Sequence, residues 1–137
     1  MTTKITTALR TASLGIVVLF TLFTIPCAFA GEVLKANVPF QFQAGSKTLP
    51  AGSYEFDLDR DMEVVSVRGS GKGSSSVVSI ITTLAAAPRS NGTDAHIVFD
   101  KIGPNYTLSE LWQPGTEGIL VHATRGKHEH HALHTKS

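Results

Sequence analysis

The chain has a single cysteine, Cys27, among its 137 residues. A lone thiol cannot close an intramolecular disulfide, so no disulfide framework holds this protein together. Charge of one sign is also lacking. Twelve Lys and Arg stand against eleven Asp and Glu, a formal net charge of +1 with histidine neutral. Binding to a phosphate backbone needs a clustered positive field, so nucleic acid is not an expected partner. Long hydrophobic runs are missing as well. The apolar run from Leu14 to Ile25 is shorter than the ~20 residues a spanning helix needs, and Pro26 interrupts it. After residue 30 no long segment has the 3.6-residue period of an amphipathic helix.

What is present begins with a leader. Lys4 and Arg10 form a positive start, Leu14 to Ile25 an apolar centre, and Ala28-Phe29-Ala30 a small-residue cleavage site before Gly31. This pattern predicts a signal peptide over residues 1–30, export, and a mature chain of residues 31–137. Retention as a membrane anchor is the competing reading, and would be the only route to a membrane. A lipid-modified Cys27 is disfavoured because Pro26 precedes it. Cleavage discards the one thiol. It also removes Lys4 and Arg10, leaving ten basic residues against eleven acidic ones, a net charge of −1. A domain of this size then relies on burial and hydrogen bonding alone.

The mature chain reads as short strands. Leu34, Ala36, Val38, Phe40 and Phe42 alternate with Lys35, Asn37, Gln41 and Gln43, predicting a half-buried strand over 34–42. Pro39 has no amide hydrogen to donate and marks an edge strand or a bulge. Tyr54, Phe56 and Leu58 alternate with acids and reverse at Asp59-Arg60-Asp61 into Glu63–Arg68. Val77–Leu84, His96–Lys101, Tyr106–Trp112 and Ile119–His122 follow, separated by Gly/Pro-rich turns and a loop over Ala85–Thr93. Phe40, Phe42, Tyr54, Phe56, Ile97 and Phe99 are the expected core. The expected fold is all-β: a small antiparallel sandwich or partly open barrel of six to seven strands, with a β-domain over 31–122 and a His-rich polar tail over 123–137.

Two separated motifs carry a resemblance. One is Val38-Pro39-Phe40-x-Phe42-x-x-Gly45-x-Lys47-x-Leu49-Pro50-Ala51-Gly52-x-Tyr54. The other is Phe99-x-x-x-Gly103-x-x-Tyr106-x-Leu108-Ser109-Glu110-x-Trp112-x-Pro114-Gly115. Across most of residues 33–121 the chain resembles a family of small secreted β-proteins found mainly in Acidobacteria. The resemblance implies the exported compartment and the β class. It implies no biochemical activity and no catalytic residue, and the His-rich end departs from it.

Several constellations could carry chemistry. Asp57-x-Asp59-x-Asp61-x-Glu63 has the alternating acids of a calcium loop, but Met62 and Arg68 stand where an EF-hand needs glycine and glutamate. A solvated hairpin accounts for it better. Gly69-Ser-Gly-Lys-Gly-Ser lacks the spacing of a phosphate loop. There is no Gly-x-Ser-x-Gly elbow, and a triad of Ser109, His96 and Asp94 exists only on paper. Strict alternation places Tyr106, Leu108, Glu110 and Trp112 on one face. That face is either core, with Glu110 at a rim, a bulge or a buried partner, or an exposed platform of Tyr106, Glu110 and Trp112 for a sugar or peptide. The tail offers His128, His130, His131 and His134, with His122 upstream. Imidazole suits Zn²⁺ and Cu²⁺, so weak metal binding is expected there, as against a plain polar end.

The sequence therefore predicts an exported, non-enzymatic β-domain working as an envelope or secreted binding or structural module. Its partner would be an envelope component, a glycan or a protein, in the periplasm or outside the cell. The alternative is a periplasmic or extracellular transition-metal-binding protein using the His-rich tail. A secreted hydrolase comes third. No cofactor is expected beyond weak Zn²⁺ or Cu²⁺ at the tail.

Overall fold

The computed structural model describes residues 32–85 and 94–135. The predicted leader and most of the Ala85–Thr93 loop lie outside the described residues. Eleven strands occur among those described: β1 Glu32–Val38, β2 Phe42–Ala44, β3 Lys47–Leu49, β4 Gly52–Asp59, β5 Val64–Gly69, β6 Ser75–Ser79, β7 Thr82–Leu84, β8 His96–Ile102, β9 Asn105–Trp112, β10 Gly118–Leu120 and β11 Glu129–His134. They form two sheets, ordered β1-β4-β5-β6 and β11-β8-β9-β10-β7. The short β2–β3 hairpin joins the second sheet, where β2 runs parallel to β9 at Gln43 and Thr107. The sheets are not closed into a barrel, so the fold is the sandwich of the two expected architectures.

There are more strands than the sequence suggested: two predicted strands are each divided between the sheets, and β3 and β11 are additional. The first breaks after Val38. Pro39 cannot donate to a ladder, and the chain crosses over residues 39–41 to start β2 at Phe42. Alternation survives the crossing: Val38 and Phe42 are both fully buried, each in a different sheet. The second break splits Val77–Leu84. Ile80 N–H donates to the Glu63 carbonyl of the first sheet at 2.8 Å, and Ile81 N–H to the Leu120 carbonyl of the second, also at 2.8 Å. Two adjacent amides thus serve opposite layers.

The core lies between the layers. Phe56, Val65 and Val67 come from the first sheet, and Ile97, Phe99, Leu108, Leu111 and Ile119 from the second. Phe42 links them, its ring edge-on to Tyr54 at 5.1 Å and to Phe99 at 5.1 Å. Each such side chain contributes roughly 1.5–3 kcal/mol by burial. Five of the six expected core residues are buried; Phe40 is only half-buried, stacked on Tyr106 at a centroid distance of 3.8 Å. Its place beyond the Pro39 crossing puts it at the rim of the core.

Among the described residues, the tail is not a plain polar end. Residues 129–134 form β11, antiparallel to β8 from the Glu129–Lys101 pair to the His134–His96 pair. No apolar alternation announces it, because β11 is mostly exposed and buries only part of Leu133.

Candidate metal centre

Asp100 sits in β8, a strand whose Ile97 and Phe99 point into the core. Alternation turns Val98 and Asp100 to the outer face of the second sheet. Asp100 is nonetheless only 2 % exposed, with Thr107 and His130 beside it on the flanking strands. A buried carboxylate without a partner is costly by several kcal/mol. Two imidazoles of the tail approach it. His130 Nδ1 lies 2.9 Å from Oδ1, and His128 Nε2 3.9 Å from Oδ2. The 2.9 Å approach does not meet hydrogen-bond geometry, and Oδ1 has no hydrogen-bond partner among the described residues.

His128 is oriented from behind. Its Nδ1 lies 2.9 Å from the Gly126 carbonyl, which can only accept, so the ring donates there. When the ring is neutral, Nε2 then carries the lone pair, on the side facing Asp100. Metal-ligating histidines are commonly fixed in this way by a carbonyl on the far nitrogen. Gly126 has a φ of +92°, a conformation few other residues adopt, and so supports the turn that places its carbonyl. The rings of His128 and His130 meet edge-to-face at 4.8 Å. One ligand atom from each of Asp100, His128 and His130 falls within 4.8 Å of the other two. Donors around a tetrahedral Zn²⁺ at ~2.0–2.2 Å are about 3.3–3.6 Å apart, so small adjustments would close the set.

Of the four expected tail ligands, the structure unites His128 and His130 and separates the others. In a strand, His131 falls on the opposite face from His130. Its ring packs edge-on against Phe40 at 5.4 Å and Tyr106 at 5.8 Å. His134 lies at the far end of β11 beside His96, ring centroids 6.2 Å apart. Asp100 was missed by the sequence reading. The signal available was an acid in the outward register of a strand already expected at His96–Lys101.

The platform of Tyr106, Glu110 and Trp112 is divided by a bulge. Val98 pairs with Glu110, but Phe99 pairs with Leu108, leaving Ser109 as the extra residue. The Ser109 carbonyl accepts from Val121 N–H at 2.8 Å and His122 N–H at 3.3 Å, so the bulge is satisfied by the chain after β10. Beyond it the register flips. Tyr106 and Leu108 face the core, Leu111 faces it again, and Glu110 and Trp112 turn outward. Trp112 Nε1–H donates to Glu110 Oε2 at 2.7 Å. His96 lies beside the indole, the planes within 11° and the centroids 5.8 Å apart.

The other candidates are occupied structurally. Asp59 Oδ1 accepts from the Asp61 and Met62 amides, and Asp57 pairs with Arg68 at 3.3 Å. Ser109 Oγ donates to the His122 carbonyl at 3.0 Å, and His96 Nδ1 contacts the Asp94 carbonyl at 3.1 Å, so neither is arranged as part of a triad. Comparison with models of protein families, with curated proteins and with solved structures returns no match for this chain.

Proposed function

We propose that this protein is an exported, non-enzymatic β-sandwich that binds a divalent transition-metal ion through Asp100, His128 and His130. The observation that carries the reading is the buried Asp100 Oδ1, left without a hydrogen bond while two imidazole nitrogens converge on its carboxylate. A mixed His/carboxylate set suits Zn²⁺ and Cu²⁺. Export rests on the leader pattern of residues 1–30. The competing account of the cluster is a simple ion pair between Asp100 and a protonated histidine.

Calorimetric titration with Zn²⁺ and Cu²⁺ tests the assignment. His130→Ala and Asp100→Asn are expected to lower affinity by about tenfold or more, in line with loss of a ligand. His131→Ala and His134→Ala should change it less than about twofold. Equal losses in the three histidine variants, with Asp100→Asn unchanged, would return the metal to the tail as a whole. No binding by the wild type would leave the ion pair. A second reading rests on the near-parallel rings of Trp112 and His96 beside Glu110, a flat surface suited to a sugar ring. Oligosaccharide titration followed by Trp112 fluorescence tests it, an unchanged emission counting against it.

A further inference from the structure

The ligands of the candidate centre do not belong to one segment. Asp100 is in β8, while His128 and His130 lie just before and within β11. An ion shared among them therefore ties an edge strand to the sheet it covers. We infer that metal binding is the clasp that keeps β11 docked on β8, so that ion occupancy decides whether the edge of the second sheet is covered. This rests on the metal reading and adds a regulatory consequence to it.

What else holds β11 is modest. Every residue from Glu129 to His134 is exposed except Leu133, which is half-buried against the core. Its backbone pairs with β8 on one side only, as the strand at the end of the sheet order. His131 adds its ring contacts to Phe40 and Tyr106. At the C-terminal end, Thr135 fastens the strand through its N–H and its hydroxyl, each donating to the Ala95 carbonyl at 3.0 Å. At the N-terminal end there is the His–Asp cluster, in which Asp100 Oδ1 has no hydrogen-bond partner among the described residues. The strand is thus fastened by hydrogen bonds at one end and by the candidate ligands at the other. An edge strand with little buried surface is among the first parts of a domain to open.

The expected coupling follows from mass action. Only the docked strand presents all three ligands together. An ion at a hundred times its dissociation constant therefore lowers the undocked population about a hundredfold. The lever acts on β11 and on the outer edge of β8, and leaves the β4–β5 hairpin of the other sheet untouched.

Hydrogen exchange on the full chain reads this directly, with Zn²⁺ or with a chelator, and calorimetry in parallel. Zinc is expected to slow exchange of the amides of residues 131–135 at least about tenfold, in the range of that mass-action shift, with little change in β4–β5. In His130→Gln, the slowing should be lost while β4–β5 exchanges as in the wild type. Zinc that binds by calorimetry yet leaves residues 131–135 unchanged would overturn the clasp and spare the metal centre. Slowing confined to residues 127–130 would overturn it too, as a local effect on the ligand loop. Zinc that does not bind at all would remove both proposals.

Discussion

Lys35 and Glu55 face each other across β1 and β4, Nζ 2.7 Å from Oε1. The hydrogen bond from Lys35, and then its charge, hold the Glu55 carboxyl below the usual glutamate range. A carboxyl depressed in the folded state contributes stability above its unfolded pKa, and that contribution is lost as pH falls through the folded value. Both groups are well exposed, so the contribution is small and screened by salt. NMR titration should place Glu55 lower in the wild type than in Lys35→Ala, with the gap narrowing at high salt. Identical titrations would show the pair to be unformed in solution. Gly118 makes a sharper demand. A methyl added there would sit 2.7 Å from three ring atoms of Trp112. Gly118→Ala must move the indole and disturb its 2.7 Å bond to Glu110. The expected outcome is a shifted emission from the sole tryptophan and a loss of about 1–3 kcal/mol. An unaltered spectrum with unaltered stability would place the ring elsewhere.

Among the elements, those built on hydrophobic alternation were legible in the sequence. Leu34, Ala36 and Val38, or Tyr54, Phe56 and Leu58, announce a buried face because each strand must cover one. Where one strand ends and another begins was less legible, since it depends on which sheet supplies the hydrogen bonds. Ile80 and Ile81 look alike in sequence and bond to opposite layers. The Ser109 bulge depends on amides at Val121 and His122, which no local pattern around Glu110 reveals. β11 exists by pairing with β8 and has no apolar alternation of its own to betray it. Two of the three candidate ligands were visible as histidines, while Asp100 required the fold to bring it near. The contrast between Phe42 and Phe40 tests the first crossing. Phe42→Ala should lose about 3–5 kcal/mol on chemical denaturation, and Phe40→Ala about 1–3 kcal/mol because its burial is partial. Equal losses would mean that Phe40 is as deep as its neighbour.

At the scale of the whole molecule, the two layers differ in how far along the chain their partners lie. In the first sheet, β4, β5 and β6 follow one another as antiparallel neighbours. The second also joins β7 to β10, and β2 to β9 at positions 43 and 107. Pairings distant in sequence form later, because the intervening chain must be closed first. Val65→Ala in β5 is therefore expected to slow folding, whereas Ile119→Ala in β10 should mainly speed unfolding, as read from stopped-flow chevrons. The reverse pattern would make the second sheet the nucleus. The parallel contact between Gln43 and Thr107 has a consequence for a chain that emerges from its N-terminus onward. The β2–β3 hairpin leaves the ribosome early and cannot find its neighbour until β9 has followed. Throughout that interval Phe42 and Leu49 lack the rest of their own sheet, Phe99 included, so the risk of aggregation is set by the order in which the chain appears.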